Sequence, residues 1–483
     1  MRISTLLILA KHVWKNKLSN SSTRWVIGIC NVLLLVALLS GYQNLTRQQE
    51  TSRHFSHEVR ERWEKRPDKH PHRMAHYGYV AFRLPYPLSF IDYGIDSYVG
   101  KAIFLEAHKQ NTVNFSEASH SNGLLRFGEI TAAMIWQLLL PLFIIFLGYD
   151  LIAQERESGT LRILLSQGVS WQELIFGKSL GLFVLVLSLI IPSIFIGFLL
   201  LLMNDQAFAL PFIYFRFLIL VSSYLLYLLV ISIITILISA NSPHIKSALI
   251  QLIGLWLLFT LIIPKVSQVI SFNMYPTPSK IEFDTTIEKE IIKQGDSHNP
   301  NDPYFKKIKD SLLAAYKVDS TQKLPFNYSG YIMREGEKLS ADTYKKHQES
   351  LTRSYIKQQN IIRLTAIINP YIAIKNISMA LSGADYFAFA DFQFQTESYR
   401  YSLAQRMNEL QMKYISNKTK TSADKQSKIS RKNWSEFPDF HHEFLSLSTV
   451  LYQELVSFTT LIFWLIGLCF GIKLFFTKNL SAY

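Results

Sequence analysis

Six long apolar runs constrain this chain more than anything else in it: Trp25–Tyr42, Thr131–Tyr149, Ser179–Met203, Phe212–Ala240, Ser247–Ile270 and Ser446–Leu474. An apolar run of about 18 residues or more is long enough, as a helix, to cross a hydrocarbon core roughly 30 Å thick. Backbone in that core must bond to itself, so only helices and closed barrels span it, and uniformly apolar runs mean helices. The expected fold is therefore an all-α polytopic membrane protein with six transmembrane helices. Composition agrees: 49% of the residues are apolar, which excludes a disordered chain. Only 18% are charged, below the roughly 25% of soluble domains.

The net charge of +14 matters less than its placement. Residues 1–24 carry Arg2, Lys11, Lys15, Lys17 and Arg24 and no acid. A basic flank before the first crossing is retained in the cytoplasm. Six crossings return the C-terminus to the same side, where Lys473 and Lys478 agree. The expected order is a cytoplasmic segment 1–24, spans at 25–42, 131–149, 179–203, 212–240, 247–270 and 446–474, a cytoplasmic elbow 150–178, and a cytoplasmic tail 475–483. Two large segments, 43–130 and 272–445, then lie outside. Cys30 and Cys469 sit within apolar runs, which leaves no disulfide framework for the outer parts.

The outer segments read as mainly helical. Ile281–Lys293, Tyr304–Tyr316 and Gly336–Ile367 have helical periodicity. Asn299-Pro300-Asn301-Asp302-Pro303 marks a turn between the first two, and Tyr77–Pro87 reads as extended. Asn417–Lys432 is Lys- and Ser-rich; outside the cell it is a loop, not a nucleic-acid arm. Ile3–Trp14 mixes apolar residues with Lys11 and Lys15. It reads equally well as an amphipathic helix lying at the inner interface or as a basic anchor.

The elbow is the most informative stretch. After the second run come Asp150, Glu155, Arg156 and Glu157 in a short helical turn. Gly159 breaks it, and Thr160 is expected to cap a second turn with Leu161, Leu164 and Leu165 on one face and Arg162 on another. A further helix starts near Ser170, with Trp171 at the interface and Lys178 snorkelling toward headgroups. So small and charged a corner between two spans suits docking of a cytoplasmic partner; the plainer reading is a solvated loop.

The pattern Glu155-Arg156-Glu157-Ser158-Gly159-Thr160-Leu161-Arg162-Ile163-Leu164-Leu165-Ser166, with Gly177-Lys178 after it, resembles the permease subunits of type-2, exporter-like ABC transporters. Six spans with both ends inside match as well. The resemblance implies that Glu155, Arg156, Glu157, Gly159, Thr160, Leu161, Arg162, Leu164, Leu165 and Lys178 couple the spans to a cytoplasmic ABC ATPase. It further implies a second permease subunit, identical or related, ATP and magnesium on the ATPase, and a place in the bacterial inner membrane. Outer blocks resemble a branch with large outer domains and mostly uncharacterised substrates: Pro71–Gly78, Pro87–Gly94, Phe104–His108, Asn369-Pro370, Ser382–Asp385 and Glu397–Arg400. Ala384 stands where that branch is expected to carry Thr.

Chemistry within the chain is not expected. Gly177-Lys178-Ser179 ends like a P-loop, but the first glycine would fall at Gln172, so ATP hydrolysis belongs to another polypeptide. There is no His-Glu-x-x-His and no Gly-x-Ser-x-Gly. Seven histidines, His54, His57, His70, His72, His76, His108 and His120, lie in segment 43–130. His72 and His76 have metal-ligand spacing on a helix. However, Pro71 argues against a helix there, and a structural role is expected with no metal and no cofactor. Asp150, Arg216, Lys265 and Glu454 lie near membrane edges, where snorkelling accounts for them. Pro141, Pro192 and Pro264 bend spans. The leading function is a permease subunit that couples a partner's ATP hydrolysis to export. A rival is mechanical transmission to an envelope partner through the outer domains, and a third class is a sensor without an ATPase.

Overall fold

The computed structural model describes residues 2–110, 130–297, 299, 301–417 and 427–478. His120, Pro300, most of the 417–432 loop and tail residues 479–483 lie outside the described residues. Helix α1 (Ile3–Ser19) ends at Asn20, whose side chain accepts a hydrogen bond from Ser22 N at 3.0 Å and so starts α2 (Ser21–Glu64). α2 is one unbroken helix of 44 residues, roughly 65 Å at 1.5 Å per residue. That is about twice the apolar thickness of a bilayer. The first apolar run is thus the lower part of a mast. No glycine or proline falls between Gly41 and Pro67, and the pairs Glu58–Arg62, Arg60–Glu64 and Glu61–Lys65 sustain the polar half.

Among the described residues six helices are long and apolar enough to cross a membrane, and the protein is a polytopic all-α membrane protein. The second span runs through Ala132–Met134, a π turn at Ile135–Leu139 and α4 (Leu140–Gly148). The third is α7 (Trp171–Leu202) and the fourth α8 (Ile213–Asn241). The fifth is α9 (Ile245–Leu257), a π turn at Leu258–Ile262 and α10 (Ile263–Met274). Both π turns stop just short of a proline, Pro141 and Pro264. A proline supplies no N–H and crowds the carbonyl four residues back, and the widened turn relieves both. The sixth apolar run is split at Glu454 into Leu447–Gln453 and a span beginning at Leu455. Glu454 is 3% exposed, accepts from Arg363 Nε at 2.9 Å and from the Ser457 hydroxyl at 2.8 Å, and does not snorkel.

Beyond Glu64 the first outer segment is less helical than expected. It holds α3 (Pro71–Ala75), a two-stranded antiparallel hairpin of β1 (Tyr79–Phe82) and β2 (Ala102–Leu105), and loops. Tyr79 pairs with Leu105 and Phe82 with Ala102. Pro67, Pro71, Pro85, Pro87, Gly94 and Gly100 leave no room for longer helices. In the second outer segment the three expected helices form as α11 (Lys280–Gln294), α12 (Pro303–Tyr316) and α13 (Tyr328–Thr365). α13 starts earlier than its periodicity suggested because Asn327 caps it, accepting from Gly330 N at 2.8 Å.

Two further helices follow, α14 (Pro370–Leu381) and α15 (Tyr386–Tyr414). α14 lies outside the six runs yet packs against α8 and the sixth span, with Ala373, Ile374, Ile377 and Leu381 fully buried. Arg216 holds its end. The guanidinium donates to Leu381 O at 2.7 Å, Ala380 O at 2.6 Å and Leu445 O at 3.3 Å, and lies 4.2 Å from the Tyr86 ring centroid. Arg216 is therefore a buried helix cap, not a snorkelling side chain. Lys265 is exposed.

Among the described residues apolar burial falls into a core that runs through the membrane helices, a separate core outside them and a small cluster of Phe283, Ile287 and Tyr344. The outer core gathers Trp63, Met74, Tyr79, Ile103, Phe392, Met407 and Trp434. Trp63, at the tip of α2, is 2% exposed and donates its indole N–H to Trp434 O at 3.1 Å. One helix thus begins directly after α1 and ends inside the outer core.

Candidate functional site

The elbow consists of α5 (Ala153–Glu157) and α6 (Thr160–Ser166), joined through Gly159 at φ 78°. That left-handed turn costs an L-residue about 1–2 kcal/mol, and glycine avoids it. Gly159 occupies the capping position of α6, so Thr160 is the first residue inside the helix and not its cap. Its hydroxyl turns back to Ser158 Oγ at 2.6 Å and Glu155 O at 3.3 Å. Ser170 caps α7 in a reciprocal box: Glu173 N donates to Ser170 Oγ at 3.2 Å, and Ser170 N donates to Glu173 Oε2 at 3.0 Å. Trp171 packs into the membrane core at 9% exposure.

The charges of α5 reach the ends of neighbouring spans. Lys178 is 3% exposed and donates to Leu151 O and Glu155 Oε2, each at 2.5 Å. Lys178 therefore fastens the elbow to the third span; it does not reach for headgroups. Arg156 donates to Ala240 O at the end of the fourth span. Glu157 Oε1 accepts from Ile245 N at 2.7 Å, where the fifth begins. Ser239 Oγ accepts from Ile152 N and Ala153 N at 3.0 and 3.1 Å and donates to Tyr149 O at 2.8 Å. Three spans thus meet on one five-residue helix.

The N-terminal basic residues serve the same corner. Arg2 N donates to Glu173 Oε1 at 2.5 Å, and Lys17 reaches both oxygens of Asp150 at 2.8 and 2.9 Å. α1 lies along the start of α7, where Gly177 and Gly181 let it approach. A Cβ on Gly181 would meet Ala10 O at 2.6 Å, and one on Gly177 would meet Leu9 Cβ at 2.8 Å. Ala10 and Val13 are buried by this contact while Ile3, Leu7 and Ile8 stay exposed, so α1 is amphipathic and docked at once. Sequence reasoning read Arg2 and Lys17 only as topology signals; their partners lie more than 130 positions away.

On α6, Leu161 is buried, Leu164 and Leu165 are half-buried, and Thr160, Arg162, Ile163, Ser166 and Gln167 face solvent. Ile163 is 55% exposed. It was not singled out from the sequence, since an isoleucine in a helical turn reads as core.

The outer blocks converge on a second cluster. Arg400, 1% exposed, donates to Glu337 Oε1 at 2.6 Å and to both oxygens of Glu397 at 2.8 Å, and reaches Glu106 O at 3.3 Å. Burial raises the Glu337 pKa, but His108 and Arg400 outweigh it and hold it at about 2. His108 N and Nδ1 each lie 3.0 Å from Glu337 Oε2. Against the expectation, Pro71 does not disrupt a helix at His72; it occupies the first turn of α3, where its missing N–H costs nothing. His72, His76 and His108 come together, each able to offer a ligand nitrogen within 4.8 Å of the others. Beside the cluster, α13 and α15 enclose a cleft of about 660 Å³ lined by Tyr344, Arg353, Phe394, Glu397 and Tyr401. Ser382–Asp385 is a helix-to-helix joint: Gly383 takes φ 65°, Ala384 O accepts from Ile95 N at 2.8 Å, and Asp385 caps α15 through Ala388 N at 3.0 Å. Its task is structural, and an alanine performs it.

Compared with known families, residues 13–304 match a family described as "ABC-2 family transporter protein". Residues 280–443 match a "Domain of unknown function (DUF3526)", which covers α11 to α15. No curated protein matches the chain.

Proposed function

The chain belongs to the ABC-2 family of transporter proteins and is a permease subunit of an ABC transporter; from that premise we propose that α5 and α6 carry the stroke of a separate cytoplasmic ABC ATPase into the spans and drive export. In this reading the elbow and both termini face the cytoplasm of a bacterium, and the protein is a multi-pass component of its inner membrane. ATP and magnesium bind the ATPase. A second permease subunit, identical or related, completes the path, and lipid covers the remaining apolar faces.

One observation carries the reading: α5 is tied at once to the third, fourth and fifth spans through Glu155–Lys178, Arg156–Ala240 O and Glu157–Ile245 N. A push on the exposed face of α6 reaches three spans without passing through loose chain. Ile163 and Arg162 are the surface offered to the ATPase, while Glu155, Arg156, Glu157 and Lys178 transmit.

A second reading, mechanical action on an envelope partner without transport, is favoured by α2. Its single helix follows α1, whose Lys17 pairs with Asp150, and reaches the outer core at Trp63; it would carry displacement outward with little loss.

The test is ATPase stimulation in the complex purified with its ATPase. Ile163→Asp is expected to abolish stimulation while leaving membrane insertion and thermal unfolding unchanged. Glu155→Lys with Glu157→Lys is also expected to abolish it, by setting a cation beside Lys178 and freeing the start of the fifth span. Full stimulation in both variants refutes the coupling. Vesicles that accumulate substrate separate export from the mechanical reading.

A further inference from the structure

We propose that His72, His76 and His108 form a binding site for a divalent transition-metal ion of the zinc–copper class on the extramembrane domain. The site is independent of the elbow and stands or falls without it.

Local sequence builds the first half. Pro71 sets the first turn of α3, and the His70 side chain accepts from His72 N at 3.2 Å, so the helix starts at a defined residue. Residues four apart on a helix share a face. His72 and His76 accordingly approach to 4.7 Å between ring centroids. The second half arrives from the end of β2. The turn closes with a bridge between Glu106 and Lys109, and Ala107 N donates to Ala75 O at 3.3 Å. This places His108 at φ 63°, a left-handed conformation uncommon outside glycine. Strained backbone of this kind persists only where its surroundings hold it. Here they deliver the ring to 5.5 Å from His72 and 5.2 Å from His76.

The ligand distances are near those a metal needs. Zinc–imidazole bonds of about 2.0–2.1 Å put tetrahedral nitrogens about 3.4 Å apart. Nitrogens within 4.8 Å reach that by closing about 1 Å toward the centre, a modest ring rotation. A metal-bound histidine characteristically gives its other ring N–H to a carboxylate, which fixes the tautomer and strengthens the ligand. His108 does this: Nδ1 lies 3.0 Å from Glu337 Oε2, so Nε2 is its ligand atom. Arg400 holds Glu337 in turn at 2.6 Å, and Glu397 holds Arg400 at 2.8 Å. A histidine held by a carboxylate that is itself held by an arginine is more than a packing contact between rings requires.

The donor set names the ligand class. Three imidazoles without carboxylate or thiolate suit zinc, copper or nickel and not magnesium or calcium. Three protein ligands leave the fourth position to solvent. His76 is exposed, which gives the ion an entry path and turns that position outward.

The experiment uses the full chain in detergent, stripped with EDTA and titrated with Co²⁺ and then Zn²⁺. One equivalent of Co²⁺ is expected to give the visible bands of a tetrahedral site, which Zn²⁺ then displaces. His76→Ala, an exposed position, is expected to remove those bands while the metal-free protein unfolds at the wild-type temperature. Glu337→Gln should weaken Zn²⁺ binding by roughly 10–100-fold, and His57→Ala should change nothing. Zn²⁺ is expected to raise the unfolding temperature of the wild type and not of His76→Ala. The proposal is overturned if the wild type fails to take up one equivalent at micromolar metal, or if His76→Ala and His108→Ala bind as the wild type does. Either result would leave the three rings as a packing cluster.

Discussion

The elbow and the outer ladder are both held by ion pairs, yet the pairs differ in kind. At the elbow each link joins a partly exposed side chain of α5 to a span end; two of the three partners are backbone groups, and the third is the buried Lys178. Around Arg400 the charges are interdependent: Glu337 is fully buried and Arg400 1% exposed, and each neutralises the other. An exposed pair is worth about 0–1 kcal/mol. A buried pair that loses one member costs about 3–5 kcal/mol, because the survivor remains charged in a low dielectric. The links of Arg156 and Glu157 can therefore shift in small steps about the one buried anchor at Lys178, whereas the ladder holds one geometry or fails. A corner that transmits motion and a domain that keeps its shape call for those two designs.

The largest expected effect tests the rigid side. Arg400→Leu leaves Glu337 and Glu397 without their cation and should destabilise the outer domain by about 3–5 kcal/mol. Limited proteolysis of the intact protein would show it, with cleavage in α13 and α15 while the spans stay protected. A loss under about 1 kcal/mol would mean that water reaches the ladder, and the contrast with the elbow would go.

The next effect lies at the opposite face. Gly181→Leu drives a side chain into the Ala10 carbonyl, which a Cβ alone would meet at 2.6 Å. Overpacking of this kind costs about 1–3 kcal/mol. α1 should lift from α7 and fray, so that trypsin cuts faster after Lys11 and Lys15, whose side chains are already exposed, with the outer domain unaffected. If trypsin cuts there no faster in that variant, α1 is held by Arg2 and Lys17 alone.

These two sites also mark what could be read in the chain beforehand. The spans and the elbow were legible because hydropathy, a glycine and alternating charge act over a few residues. Even there, the direction of the charges was not. Lys178 and Arg216 look like snorkelling residues because each lies near the end of an apolar run; what buries them is a carbonyl or carboxylate distant in sequence. α14 was missed because its apolar length is too short for a span, although tertiary contact with α8 and the sixth span buries it. Of the histidines, the His72–His76 spacing was visible. His108 was not, since a hairpin turn brings it there and no local period announces it. Glu454 was read as part of a span because one acid barely lowers the hydropathy of a long run; Arg363, on α13, pairs with it where the helix is interrupted.

A third effect is set by pH and confined to the outer domain. His442 lies between Phe392 and Phe444, with ring centroids at 5.2 and 5.0 Å. Burial, aided by Arg83, pushes its pKa down to about 3. The unfolded chain, with an ordinary imidazole near 6.5, binds a proton first. Stability from the neutral ring is thus complete above pH 6.5 and is lost as the pH falls from there toward 3. By pH 5.5 the loss should be about 1 kcal/mol, since one pKa unit is worth about 1.4 kcal/mol. Unfolding temperature measured between pH 7.5 and 5.5 should fall in the wild type and fall less in His442→Phe. An equal fall in both would place the acid sensitivity elsewhere.

The smallest expected effect separates folding of the elbow from its use. Thr160 is exposed, and its hydroxyl bonds only to Ser158 and the Glu155 carbonyl, both of which water can serve. Thr160→Ala should change stability by no more than about 0.5 kcal/mol, the ordinary range for a surface site. If the elbow works as a lever, that variant keeps its ATPase stimulation, because every tie from α5 to the spans is intact. Ile163→Asp is equally mild for the fold, since the side chain is already 55% exposed, but it should abolish stimulation by placing a desolvated charge against the ATPase. Two neighbouring substitutions with the same small effect on stability and opposite effects on ATPase rate would show that α6 is a contact surface. Matching rates in the two variants would mean that the stroke enters elsewhere, and α5 with its three anchored spans would then be bracing and no more.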